Sequence, residues 1–253
     1  MTILLDIETA PKTAYVWGMW KQNISQDMLI DRGYIMSCSI KILGDDSVTY
    51  FENRTEDDSQ ITKDIMKWLD RADYVIAHNG KKFDLPFIKG RAVVNGIPPC
   101  SPFKIIDTLE IARKEFLFTR NTLANLCEEL NVKIKKREHG KFPGFKLWKE
   151  CVKGNEEAWE EMKDYNIYDV LSLEEVYLKL RAWHSNHPNI NVNDLDETMR
   201  CPKCGSINLQ KYGFYTTNVG KYQKYMCKDC GGFSSERYTS NTISKRKSLL
   251  KAR

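Results

Sequence analysis

Asp6 and Glu8 stand two residues apart in ILLDIETA, and a strand there sends both side chains out on one face. Two carboxylates side by side among apolar residues repel each other and lose hydration. A divalent cation turns that repulsion into coordination. The competing reading is a strand end where both acids reach water. Asp84, in HNGKKFDLP, follows a strand–loop transition, where side chains gather at the carboxyl edge of a sheet; helix N-cap is its plainer role. Tyr165 and Asp169 lie four residues apart, one turn and one face of a helix, against a core tyrosine and a surface acid as the alternative.

The eight cysteines are of two kinds. Cys38, Cys100, Cys127 and Cys151 are scattered, mostly through apolar stretches, and read as reduced core residues. Cys201, Cys204, Cys227 and Cys230 form two C-x-x-C pairs with 22 residues between them, the pattern of a closed tetrahedral site for one structural zinc ion. Gly205 and Gly231 permit tight turns behind the second cysteine of each pair. Polar and aromatic residues alternate through Tyr212, Phe214, Tyr215, Tyr222 and Tyr225 around Asn218-Val219-Gly220, which predicts a β-hairpin. So small a module has little core, so metal binding supplies much of its folding free energy. His184 and His187 read as linker residues, not ligands.

The elements that must carry these residues follow from periodicity. Strands are predicted at 3–7, 35–43 and 47–52, then a helix over 59–71 with Ile61, Ile65, Met66, Trp68 and Leu69 at helical spacing. A short strand over 74–77, a helix over 84–94 and a strand over 104–107 come next. Helices are expected at 108–115, 121–130 and about 155–183. The fold class is therefore α/β, a mixed β-sheet flanked by helices, with a small C-terminal β zinc ribbon. The domains are predicted as 1–183, a linker at 184–199, the ribbon at 200–240 and a basic tail at 241–253. Residues 131–149 form the first strongly basic stretch. There Lys133, Lys135, Lys136, Arg137, Lys141, Lys146 and Lys149 are interleaved with Phe142, Phe145 and Trp148, which suits tracking a phosphate backbone or, more plainly, a solvated loop.

DIET on the first strand, N-x-x-x-F-D ending at Asp84 and Y-x-x-x-D ending at Asp169 resemble the three motifs of the DnaQ-like, RNase H-like 3′–5′ exonucleases. Tyr165 four residues before Asp169, with Asp164 where the other branch has histidine, places the resemblance in the DEDDy branch. It covers roughly residues 1–183. The resemblance implies Asp6, Glu8, Asp84, Tyr165 and Asp169 as catalytic residues and two Mg2+ or Mn2+ ions held by the four acids. Asp6 would bridge the ions, Glu8 and Asp169 would complete the nucleophile-side metal, and Asp84 would serve the other. Tyr165 would orient the attacking water, since an unperturbed tyrosine, with a pKa near 10, is a poor base at neutral pH. The product would be a nucleoside 5′-monophosphate.

Thr9, which follows the first motif, and Asn79 and Phe83, which belong to the second, are candidate substrate contacts, although core packing is the favoured reading for Phe83. Trp17 and Trp20, in YVWGMW, suit base stacking or core anchoring. Lys146, Lys211 and Lys224 complete the candidate substrate contacts. From Arg200 onward there are 12 Lys and Arg against 2 Asp and Glu, while the preceding residues carry 27 basic and 32 acidic groups. A mildly acidic body with a basic end points to a polyanion. Nucleic acid is the expected partner, with DNA favoured over RNA on the resemblance and not on charge, and the ribbon offers a possible protein-docking surface. No run of about eighteen apolar residues exists to span a membrane, and MTILLDIET lacks the pattern of a signal peptide. A cytoplasmic place, in a cell or as a virus-encoded product, is expected. The favoured function is a metal-dependent 3′–5′ exonuclease on single-stranded DNA. The alternatives are a ribonuclease or structure-specific endonuclease on the same scaffold, or a non-catalytic nucleic-acid-binding protein.

Overall fold

The computed structural model describes residues 1–134 and 140–252; Lys135, Lys136 and Arg137 of the basic stretch lie outside them, as does Arg253. The chain divides into two compact units, Met1–Tyr177 and Leu178–Arg253. Among the described residues no helix is long and apolar enough to cross a membrane.

The first unit is built on β1 (Thr2–Thr9). A short hairpin follows, β2 (Thr13–Ala14) with β3 (Leu29–Asp31), which the sequence pattern did not reveal because two- and three-residue strands carry no periodicity. Then come β4 (Ile35–Ile42), β5 (Val48–Glu52), α1 (Ser59–Arg71), β6 (Tyr74–Ala77), α2 (Asp84–Val94), β7 (Lys104–Asp107) and α3 (Thr108–Glu115). Helices α4 (Leu123–Glu129), α5 (Lys146–Val152) and α6 (Glu156–Leu180) follow. Five strands form one mixed sheet in the order β5-β4-β1-β6-β7, antiparallel from β5 to β1 and parallel from β1 to β7. This is the mixed sheet with helices that the sequence predicts.

Alternation along β1 decides the two faces. Ile3, Leu5 and Ile7 enter a core with Ile65 and Leu69 of α1 and Leu85 and Ile88 of α2. Leu4, Asp6 and Glu8 project to the other side, opposite Lys41, Ser39 and Ser37 of β4. On that side the Lys41 ammonium meets Glu174 of α6 at 2.9 Å, and the Ser37 hydroxyl donates to Asn166 of α6 at 3.3 Å. The long helix therefore lies against the polar face, and the small serines leave room for it.

Helix α5 gives the end of the basic stretch a regular structure that the sequence reading of a solvated loop did not include, while Lys141, Lys146 and Lys149 stay exposed. Phe142 and Leu147 are buried with Trp159 and Met162, and Trp148 is half-buried. Phe145 remains exposed.

Asp58 is the central tie of this unit. Fully buried, it accepts from the Ile35 amide at 3.0 Å, from Arg91 at 2.7 and 2.8 Å and from Asn95 at 2.8 Å. It thereby joins β4, α1 and α2. Burial alone would raise its pKa, but Arg91, the Ile35 amide and Asn95 outweigh it and hold the carboxyl below its ordinary value. Its contribution is thus complete at neutral pH and disappears as pH falls through the lowered value. Asp58→Ala is expected to destabilise the protein by about 3–5 kcal/mol in denaturant unfolding, the cost of removing a buried carboxylate that leaves the half-buried Arg91, the Ile35 amide and Asn95 without their acceptor. A change under about 1 kcal/mol would mean that water replaces the carboxylate there.

The second unit holds a three-stranded sheet, β8 (Leu209–Thr216), β9 (Lys221–Cys227) and β10 (Phe233–Ser235), in the order β10-β9-β8, and a short helix α7 (Ile243–Ser248). The predicted hairpin is β8–β9; β10, only three residues long, gave no signal. In residues 184–199, the Ile190 amide bonds to the Pro202 carbonyl at 3.0 Å and the Asn191 side-chain amide to the Cys201 carbonyl at 2.9 Å.

Candidate functional site

Ligand oxygens of Asp6, Glu8 and Asp169 all lie within 4.8 Å of one another. Strand β1 supplies the first two from one face, and α6, lying across that face, supplies the third. Oxygens on opposite sides of a Mg2+, Mn2+ or Ca2+ ion stand about 4–5 Å apart, so this acid triad fits a divalent cation. Asp169 is buried at 4% exposure, whereas Asp6 and Glu8 are half-buried.

Asp6 and Glu8 each have an orienting partner. The Asn166 side-chain amide donates to Asp6 Oδ2 at 2.7 Å, while its carbonyl accepts from Ser37. The Trp148 indole donates to Glu8 Oε2 at 3.0 Å. Tyr165 meets the Trp148 ring edge-on, with centroids 5.7 Å apart. Neither Asn166 nor Trp148 was singled out as an orienting residue by the sequence. The Ser37-Cys38-Ser39 alternation, which sets serines opposite the two acids, is a signal in the sequence that could have pointed to a polar inner face.

Asp84 stands outside this triad. It is the first residue of α2 rather than its cap, that position being Phe83. Its Oδ1 accepts from the Ile7 amide at 3.1 Å, a donor past the point where β1 pairs with β6, at Thr2–Leu4. Burial pushes the Asp84 carboxyl up to about 7, opposed by the Ile7 and Asp84 amides and assisted by the charge of Asp107. Asp107 itself is a cap and turn anchor: it accepts from Leu109 and Glu110 of α3 and from the Asn79 and Lys81 amides.

The turn between β6 and α2 is tightly specified. Asn79 has φ +66°, which asparagine tolerates. A Cβ on Gly80 would sit 2.3 Å from that of Ala77, so the turn has no room for any side chain there. Asp6, Asp169, His78, Asn79, Arg113 and Asn121 help line a cleft of about 430 Å³. A larger and more apolar cavity, about 560 Å³ between α1, α2 and Phe103, contains none of the acids.

The other candidate contacts are distributed as follows. Thr9 follows a register shift at the end of β1. Trp17 and Trp20 are 96% and 83% exposed, which excludes core anchoring for them. Phe83 is partly exposed, its ring 6.1 Å from Phe87. The Lys146 ammonium lies 5.6 Å from the Phe142 ring. Lys211 and Lys224 belong to the ribbon sheet. Cys38, Cys127 and Cys151 are buried and Cys100 half-buried, none of them in a disulfide.

In the second unit the four remaining cysteines gather, with sulfurs of Cys201 and Cys230 3.7 Å apart and of Cys204 and Cys227 3.6 Å apart. Zinc–sulfur bonds of about 2.3 Å in a tetrahedron place sulfurs about 3.8 Å apart, so the cluster fits zinc. The two knuckles repeat one backbone pattern. Gly205 donates to the Cys201 carbonyl and Gly231 to that of Cys227, each at 2.9 Å. Both glycines adopt positive φ, +77° and +74°, a conformation that costs residues with a Cβ.

The RNase_H superfamily profile matches residues 3–181, and no curated protein matches the chain. Among solved structures, the chain is similar to a family B DNA polymerase from the hyperthermophilic archaeon Pyrobaculum calidifontis, with a TM-score of 0.52 and 17% identity. That match covers 72% of this chain and 25% of the polymerase, a likeness of fold over a quarter of the larger protein. With the mixed sheet, the acid triad and a matched stretch spanning most of the sequence, the chain belongs to the RNase H superfamily.

Proposed function

We propose that the protein is a metal-dependent 3′–5′ exonuclease that hydrolyses single-stranded DNA and releases nucleoside 5′-monophosphates. The observation that carries this reading is the convergence of Asp6, Glu8 and Asp169 within 4.8 Å of one another, with Asp6 and Asp169 lining an open cleft. Polarity and the preference for DNA rest on the resemblance of the three motifs.

Asp6, Glu8 and Asp169 would hold Mg2+ or Mn2+, with Asp84, outside the triad and bonded to the Ile7 amide, serving the leaving-group side. When bound, such ions lower the pKa of water and offset the charge that builds on the departing oxygen. The residues supply position. Asn166 fixes the Asp6 carboxylate, Trp148 fixes Glu8, and Tyr165 beside the indole holds the attacking water. Arg113 offers its guanidinium at the cleft to the phosphate, a group suited to bidentate contact. Water adds to phosphorus, the P–O3′ bond breaks and the 3′ oxygen takes up a proton.

The test uses 5′-labelled single-stranded DNA, the matching RNA and circular single-stranded DNA with Mg2+ or Mn2+. A ladder that shortens from the 3′ end, with the circle intact, is expected. Cutting of the circle identifies an endonuclease, faster loss of RNA a ribonuclease, and retention of every substrate a non-catalytic domain. Trp148→Phe keeps the ring and removes the donor to Glu8. It is expected to lower cleavage by about 10- to 100-fold, as loss of a ligand's orienting partner does, with partial recovery at raised Mn2+. Unchanged cleavage would show that Glu8 needs no such anchor.

A further inference from the structure

The ribbon sheet brings together a group of side chains that the zinc site does not use. Tyr212 comes from β8, Lys224 from β9 and Phe233 from β10. The Tyr212 and Phe233 ring centroids lie 5.3 Å apart at 68°, and the Lys224 ammonium stands 5.5 and 5.6 Å from the two rings. Register explains the gathering. Phe233 pairs with Met226, which shares a face of β9 with Lys224. The irregularity between Lys211 and Phe214, where Gly213 has φ +70°, lets Tyr212 join them. Tyr215 also lies on this side, opposite Tyr222 with ring centroids 6.4 Å apart.

The two faces of the sheet are treated differently. On the other face Tyr225 is buried, and its hydroxyl donates to Glu236 at 2.7 Å. Tyr212 and Phe233 remain 51% and 47% exposed. Clustered exposed aromatics mark a surface that meets a partner, and charge identifies the partner. Residues from Arg200 to the end carry 12 Lys and Arg against 2 Asp and Glu, so the occupant is a polyanion. Aromatic faces with an ammonium between them stack on any base whose own face is free. Duplex bases hide theirs, so the polyanion is single-stranded.

We infer that Tyr212, Phe233 and Lys224 form a stacking platform for single-stranded nucleic acid, with bases on the rings and the ammonium at a neighbouring phosphate. The platform acts whether or not the first unit cleaves, and its test separates the two properties. Binding of the full chain to fluorescent oligothymidylate, and to an abasic strand of equal length, is followed by anisotropy without added Mg2+ or Mn2+. Wild type is expected to bind the base-bearing strand more tightly. Tyr212→Ala or Phe233→Ala weakens it by roughly 5- to 150-fold per lost stack and leaves abasic binding unchanged. Tyr212→Phe retains affinity, and Lys224→Gln makes the log–log salt slope shallower by about 0.7. One zinc per chain in every variant shows that the ribbon is intact. Equal affinity for abasic and base-bearing strands, or alanine variants that bind both as wild type does, overturns the inference and leaves the face to a protein partner. Cleavage by the same variants with Mg2+ reports separately on the acids.

Discussion

Asp6→Asn is expected to lower cleavage by roughly 10³- to 10⁴-fold while making the metal-free protein more stable than wild type. The first effect follows from losing a charged ligand, worth several kcal/mol of transition-state charge stabilisation. The second follows from the triad itself. Three carboxylates with oxygens within 4.8 Å repel one another when no cation stands between them, and asparagine removes one charge while keeping the shape. Relief of about 1–2 kcal/mol corresponds to a rise of roughly 2–8 °C in Tm for a unit of this size. Saturating Mg2+ should reverse the order, raising the wild-type Tm by mass action and moving the variant less. Paired melts with and without Mg2+, together with the labelled-oligonucleotide assay, check both signs. If the variant melts lower without metal and cleaves as wild type does, the carboxylate is a structural group and the catalytic assignment fails.

Withdrawal of zinc is expected to unfold the ribbon and leave the mixed sheet folded. Between Leu209 and Ser235 the buried residues are Tyr225, Cys227 and Gly232, far too few to offset the conformational entropy of ordering the strands. Structural zinc sites of this kind supply apparent free energies of about 10–16 kcal/mol at neutral pH. A zinc-selective chelator or Cys227→Ser should therefore abolish protection of the β8–β9 amides in hydrogen exchange. Protection of β1 and β4, which rests on the apolar core of the first unit, should persist. The protein as isolated should contain one zinc per chain. Ribbon amides that stay protected after zinc has left would show that the hairpin carries its own stability.

The strands of the main sheet were legible because each alternates or is bounded by turn residues, and α1 because its apolar positions recur at helical spacing. The acids were legible as a set: Asp6 and Glu8 by the two-residue period of a strand, Asp169 by its place one turn from Tyr165. The four ribbon cysteines announce themselves by spacing alone. What escaped depends on contacts between distant segments. Trp148 looked like one aromatic in a basic stretch, and its bond to Glu8 exists only once α5 docks on the core. Asn166 is an ordinary helix residue until β4 and β1 lie beneath it. Asp58, in the acidic run TEDDSQ, resembles a solvated turn; Arg91, from another helix, makes it a buried tie. Residues that act through one partner in a remote element leave no periodic trace.

The anchoring of Asp6, Glu8 and Asp84 by three different elements bears on how quickly the proposed metal site would be filled. Asn166 sets Asp6, Trp148 sets Glu8 and the Ile7 amide sets Asp84, so rotamers that usually settle around an incoming ion are already chosen. Uptake of an ion there would require little motion of the chain, its speed set by how fast the hydrated ion sheds water. A metal site arranged in this way would exchange its ions without loosening the scaffold around them.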